Sequence, residues 1–158
     1  MKAKALFLGH PIHQMLIVFP LGLLGTAVIF DVIYLVTELS TMAIVSYWML
    51  TAGLVGAMFA IPFGMMDYSK IPPDTRAKRI GLMHGVGNAV VSVLFIVSWY
   101  LREADTLPTA TAMAWSFAGV ALALVTAWWG GELVSRLGIG VYSDASPNAG
   151  SSLDVPRD

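Results

Sequence analysis

PIHQMLIVFPLGLLGTAVIFDVIYLV, running from Pro11 to Val36, is a stretch of 26 residues with one charged side chain, Asp31. A segment that crosses a bilayer as a helix needs roughly 20 predominantly apolar residues, and this one exceeds that length. Three more stretches qualify, from Ala43 to about Met66, from Ile80 to about Leu101 and from Thr111 to about Trp129. The whole chain of 158 residues is 57% hydrophobic and 12% charged, with a mean hydropathy of +0.74. A soluble domain carries about twice that share of charge. The sequence therefore predicts an all-α integral membrane protein, an antiparallel bundle of four transmembrane helices.

The domain organisation follows from the same pattern. Residues 1–10 read as a basic lead-in, 11–141 as the transmembrane domain, and 142–158, rich in Ser, Pro, Asn, Gly and Asp, as a polar tail expected to be disordered. The opening Met-Lys-Ala-Lys and its apolar run are expected to stay as the first span, since no small-residue cleavage site follows. Gly9-His10-Pro11 reads as a helix start, with Pro at the first helical position. Pro20 and Pro62 lie inside spans and predict kinks. No internal repeat of the inverted kind that marks transporters is legible. Lys2, Lys4, Lys70, Arg76, Lys78, Arg79, Arg136 and Arg157 fall on one side of the bundle, and Arg102 alone falls on the other. The positive-inside rule then puts both termini in the cytoplasm, as in a multi-pass protein of the bacterial inner (plasma) membrane.

Alternating spans gather the chemistry at one face. The starts of spans one and three and the ends of spans two and four all meet at the cytoplasmic side, and they carry His10, His13, Asp67, His84, Asn88 and Glu132. Imidazole is the commonest metal ligand, and ionisable groups inside a membrane tend to face the bundle interior. With no cysteine in the chain, disulfides, thiolate-bound metal and cysteine-bound iron-sulfur clusters are excluded. His10, His13, His84 and Asp67 are candidate ligands for Fe, Cu or Zn. Alternatively His13 and His84 are candidate axial ligands of haem, with Asn88 and Glu132 behind them. Small residues line one stripe of span two (Ser46, Gly53, Ala57, Ala60, Gly64) and one of span three (Gly81, Gly85, Asn88, Ser92), so those faces are expected to pack on other helices.

Asp31 stands apart from that cluster. It lies 18 residues after His13, five turns along the same helix face and roughly 27 Å away, and it is expected to pair with Arg102 or outer-side hydroxyls.

Gly9-His10-Pro11-Ile12-His13, Phe19-Pro20-Leu21-Gly22-Leu23, Pro62-Phe63-Gly64, Gly81-Leu82-Met83-His84 with Asn88, and Gly130-Gly131-Glu132-Leu133-Val134 before Gly138-Ile139-Gly140-Val141 together resemble the bacterial membrane family called domain of unknown function 2231. The resemblance covers residues 9–141 and implies a four-helix membrane module, in some relatives joined to a Rieske-type iron-sulfur domain. It marks His10, His13, Asp67, His84 and the Gly-Gly-Glu segment as signature positions. Some relatives carry a histidine in place of Glu132 or Leu137, so a four-histidine or two-haem site is not expected here.

The combined expectation is a redox-associated subunit that holds one haem b or one transition-metal ion and transfers electrons, with the lipid bilayer, a Rieske-type or other redox protein and a second copy of the chain as candidate partners. The alternatives are a cation or proton transporter or channel, and a ligand-free assembly partner. No hydrolytic motif and no nucleic-acid-binding pattern is present.

Overall fold

The computed structural model describes residues 1–153; Arg157 and the end of the polar tail lie outside the described residues. A two-stranded antiparallel hairpin, β1 (Leu6–Phe7) with β2 (His10–Pro11), precedes five helices: α1 (Ile12–Leu16), α2 (Val18–Thr37), α3 (Ser40–Lys70), α4 (Arg76–Tyr100) and α5 (Ala110–Ser135). Helices α1 and α2 together form one span, so four helices are long and apolar enough to cross a membrane.

The hairpin is the first departure from the sequence reading. Leu8 and Gly9 both take positive φ, at 50° and 85°, which is the backbone of a tight two-residue hairpin turn. Pro11 consequently sits one residue ahead of the helix, at the N-cap with φ −62° and ψ 116°, instead of at the first helical position. Its extended backbone is what strand pairing with Leu6 requires.

The kink expected at Pro20 falls one turn earlier in the chain. Proline has no N–H to give to the carbonyl four residues before it, here Leu16, and the helix breaks at Ile17 between α1 and α2. Around Pro62 the helix is continuous through α3. Helix ends lie beyond the apolar stretches in α3 and α5, since a helix continues through the headgroup layer where polar residues are tolerated. Thr75 and Thr109 start α4 and α5 by accepting hydrogen bonds from Lys78 N and Ala112 N, at 3.1 and 3.2 Å, the N-cap role of a threonine hydroxyl.

The first two spans, and likewise the last two, pack as close hairpins, α2 with α3 and α4 with α5, and glycines set the approach. A Cβ on Gly53 would stand 2.7 Å from the Leu24 side chain, and one on Gly119 would stand 2.9 Å from Phe95. Between the hairpins lies a core of Leu24, Ala27, Val28, Leu50, Val91 and Phe95.

Toward the end of the bundle where α2 meets α3, that core gives way to an ionic cluster. Arg102 donates from Nη1 and Nη2 to the two oxygens of Asp31, both at 2.7 Å, with the two side chains 2% and 0% exposed. Ser46 and Ser116 accept from the same guanidinium, Ser98 accepts from its Nε, and the Ser116 hydroxyl also reaches Asp31 Oδ2. Asp31 therefore takes both partners that its sequence position led one to expect, the arginine and hydroxyls. Removing one member of a buried pair strands the other, at about 3 to 5 kcal/mol. Arg102→Ala is expected to lower the unfolding free energy by about that amount, measured by denaturant titration in micelles. A loss below about 1 kcal/mol, the scale of an exposed pair, would show the cluster to be incidental.

Candidate functional site

At the opposite end of the bundle from Asp31, two imidazoles enter the interior from different hairpins. His13 sits on α1 and is half-buried; its Nδ1 donates to the backbone carbonyl of Ala60 on α3 at 3.0 Å. His84 sits on α4, and its Nδ1 donates to the carbonyl of Thr126 on α5 at 2.9 Å. A carbonyl oxygen only accepts, so each contact places the ring proton on Nδ1 and leaves the lone pair of the neutral ring on Nε2.

Glycine makes both seats. Gly64 follows Ala60 by one helical turn and Gly130 follows Thr126 by one turn, so each carbonyl and its glycine share a helix face. A Cβ on Gly64 would lie 2.8 Å from His13 Cε1, and one on Gly130 would lie 3.0 Å from His84 Cε1. Any side chain at Gly64 would push the ring off the carbonyl.

Asn88 holds His84 from a third direction. Its Nδ2 donates to the His84 carbonyl at 2.8 Å, and its Oδ1 accepts from the Thr126 hydroxyl at 3.1 Å. The same amide nitrogen is 3.3 Å from both ring nitrogens of His84. An in-plane position equidistant from both would collide with Cε1, so the amide lies over the ring face and along neither lone pair. Among the described residues neither Nε2 has an in-plane hydrogen-bond partner.

The other residues read from the sequence are engaged elsewhere. Asp67 Oδ1 accepts from the backbone N–H of Lys4 at 2.7 Å and of Ala5 at 3.4 Å, tying the N-terminal segment to the end of α3. Glu132 pairs with Arg76 at 2.6 Å across the start of α4 and the end of α5. His10 is exposed on β2, with its Nε2 3.2 Å from the Ser152 hydroxyl. Among the described residues no group of three or more His, Cys, Asp or Glu side chains gathers as a metal-binding set. What remains is a pair of half-buried imidazoles, His13 held against α3 and His84 held against α5, with Asn88 against the second.

The N-terminal segment and the chain after α5 cover this end together. Ala3 and Ala5 are buried, the Gly140 N–H donates to the Met1 carbonyl at 2.8 Å, and Tyr142 Oη donates to the Gly9 carbonyl at 2.6 Å. The Ser152 hydroxyl also donates to the Leu8 carbonyl at 3.0 Å.

In the sequence Ala60 and Gly64 read as members of a small-residue packing stripe and Gly130 as part of the Gly-Gly-Glu segment, while Thr126 carries no signal of its own.

This arrangement defines a multi-pass four-helix membrane protein with an interior imidazole from each hairpin. The chain belongs to the predicted membrane protein family DUF2231, the domain of unknown function 2231, whose family model matches residues 9–143. No curated protein and no solved structure matches the chain.

The geometry fixes a tautomer that can be measured. In protein labelled with 15N-histidine, His13 and His84 are expected to show a protonated Nδ1 and a bare Nε2 in solid-state NMR at neutral pH. Gly64→Val should shift the His13 signals alone. A protonated Nε2 in both rings would contradict the assignment.

Proposed function

We propose that this protein is a membrane-bound electron-transfer subunit in which His13 and His84 would hold one haem b. The observation that carries the reading is the pair of interior imidazoles, each with Nδ1–H fixed on a backbone carbonyl and Nε2 left as the donor atom. Proteins orient a metal-binding histidine in this way, by holding the N–H of its other ring nitrogen on a fixed acceptor. The donor count favours haem over a bare ion. Two imidazoles complete the coordination of an iron that brings four porphyrin nitrogens, whereas a lone Zn or Cu ion needs further protein ligands. Asp67, Glu132 and His10 are occupied in other contacts.

A bound haem b would supply a one-electron iron couple. The chain's own work is positional. Ala60 and Thr126 hold the ring protons, Gly64 and Gly130 admit the rings, and Asn88 packs over His84. Leu24 and Phe95 close the interior on the side toward Asp31. The basic residues of the loops support an orientation with the imidazole end at the cytoplasmic face, where a soluble or membrane-attached redox partner, an iron-sulfur protein among them, would exchange electrons.

The test is the absorption spectrum and metal content of protein purified in mild detergent from cells supplied with haem. One haem per chain, with a Soret band abolished by His13→Ala and by His84→Ala but retained in Asp67→Asn and Glu132→Gln, is the expected result. A stoichiometric metal without a Soret band would replace haem by a bare ion. Neither haem nor metal would overturn the reading.

A further inference from the structure

The two hairpins share a set of contacts at equivalent positions. A shift of 71 positions carries His13 to His84, Leu24 to Phe95 and Asp31 to Arg102. In the second helix of each hairpin, a shift of 66 positions carries Gly53 to Gly119, Ala60 to Thr126 and Gly64 to Gly130. Every one of these pairs plays the same part in its own hairpin. His13 bonds Ala60 and lies on Gly64; His84 bonds Thr126 and lies on Gly130. Leu24 fills the space over Gly53 as Phe95 fills that over Gly119. The difference between the shifts has a local cause: Gly53 follows Asp31 by 22 residues, and Gly119 follows Arg102 by 17, so the second hairpin turns five residues sooner. Because α2 and α4 run in the same direction, the repeat is parallel, about an axis along the bundle, and not inverted.

Asp31 and Arg102 are then one position seen twice, and they bond to each other. That is the signature of a position on the axis of a two-fold arrangement, where a residue meets its own counterpart. Two identical hairpins would place two aspartates or two arginines face to face in a buried, low-dielectric site, which is strongly repulsive. Opposite charges favour hairpin one on hairpin two, and they disfavour either hairpin on a copy of itself. Buried polar pairs used in this way set register and partner choice.

We infer that the chain is a pair of equivalent helical hairpins, residues 12–70 and 76–135, each giving one imidazole to a shared interior site. Asp31 and Arg102 are the positioning pair that joins them in the register that brings His13 and His84 together. The inference goes beyond haem binding and holds whatever the imidazoles carry.

The absence of cysteine from the sequence makes a distance measurement direct. Spin labels at Met15→Cys and Val86→Cys, both exposed and near the imidazole end, report the hairpin-to-hairpin spacing in the full chain by pulsed dipolar spectroscopy without any cofactor. The parent protein is expected to give one narrow distance. Asp31→Arg and Arg102→Asp singly should broaden or lose it, and the two together should restore the parent distance. The uncharged pair Asp31→Asn with Arg102→Gln should remain helical by circular dichroism yet show a broad distribution or dimers. A narrow parent distance in the uncharged pair, or a double reversal no better than the singles, would overturn the inference. A missing Soret band in protein with the expected distances would count against haem alone.

Discussion

One buried ion pair sets the terms for the rest of this bundle. Charges taken out of water cost several kcal/mol each, so Asp31 and Arg102 are tolerated inside apolar helices only while each satisfies the other. Ser46 on α3, Ser98 on α4 and Ser116 on α5 complete the guanidinium's bonds, so every span contributes to one cluster. Among the described residues no buried side-chain nitrogen or oxygen lacks a partner. In a membrane, where apolar surfaces give helices no reason to prefer one neighbour over another, such a polar contact decides rotation as well as proximity.

The two polar ends keep the same spacing in both hairpins. His13 precedes Asp31 by 18 residues, across the break at Ile17, and His84 precedes Arg102 by 18, with Arg102 just beyond the end of α4 at Tyr100. At 1.5 Å per residue the ionic pair and the imidazoles are about 27 Å apart, and the same two hairpins carry both. The glycines then decide how close the rings approach the neighbouring helix, and the carbonyls decide which nitrogen carries the proton. The ionic end and the imidazole end are thus built by the same pair of hairpins.

The sequence made the spans, their number and the Asp31 pairing legible, because hydropathy and the cost of an unpaired charge are properties of side chains. The imidazole pair was legible only as a shared depth. Its partners were hidden, since the atoms that hold His13 and His84 are backbone carbonyls of Ala60 and Thr126, which every residue possesses. Asp67 and Glu132 sat at the right depth, but depth does not reveal that backbone N–H groups of Lys4 and Ala5, or the guanidinium of Arg76, stand nearer to them. The repeat escaped for a related reason. Its equivalent positions keep His and Gly, while Leu24 answers Phe95 and an acid answers a base, so contact geometry is shared where residue identity is not.

The layer between the two polar ends bears on what the interior can carry. Between His13 and Asp31 the same face of the first span carries Ile17, at the break before α2, then Pro20, Leu24 and Ala27 on α2, and Leu24 and Ala27 join Leu50, Val91 and Phe95 in the core. Phe95 and Leu50 are 1% and 0% exposed, which means that this layer is packed through. An ion moving along the bundle would lose its hydration at that layer and meet no polar side chain in exchange, a cost of several kcal/mol or more. An electron has no such requirement, since it needs neither a hydrated path nor displaced side chains. The closed apolar layer is therefore compatible with the electron-transfer role proposed for the imidazoles, and it separates them from the ion pair that joins the hairpins.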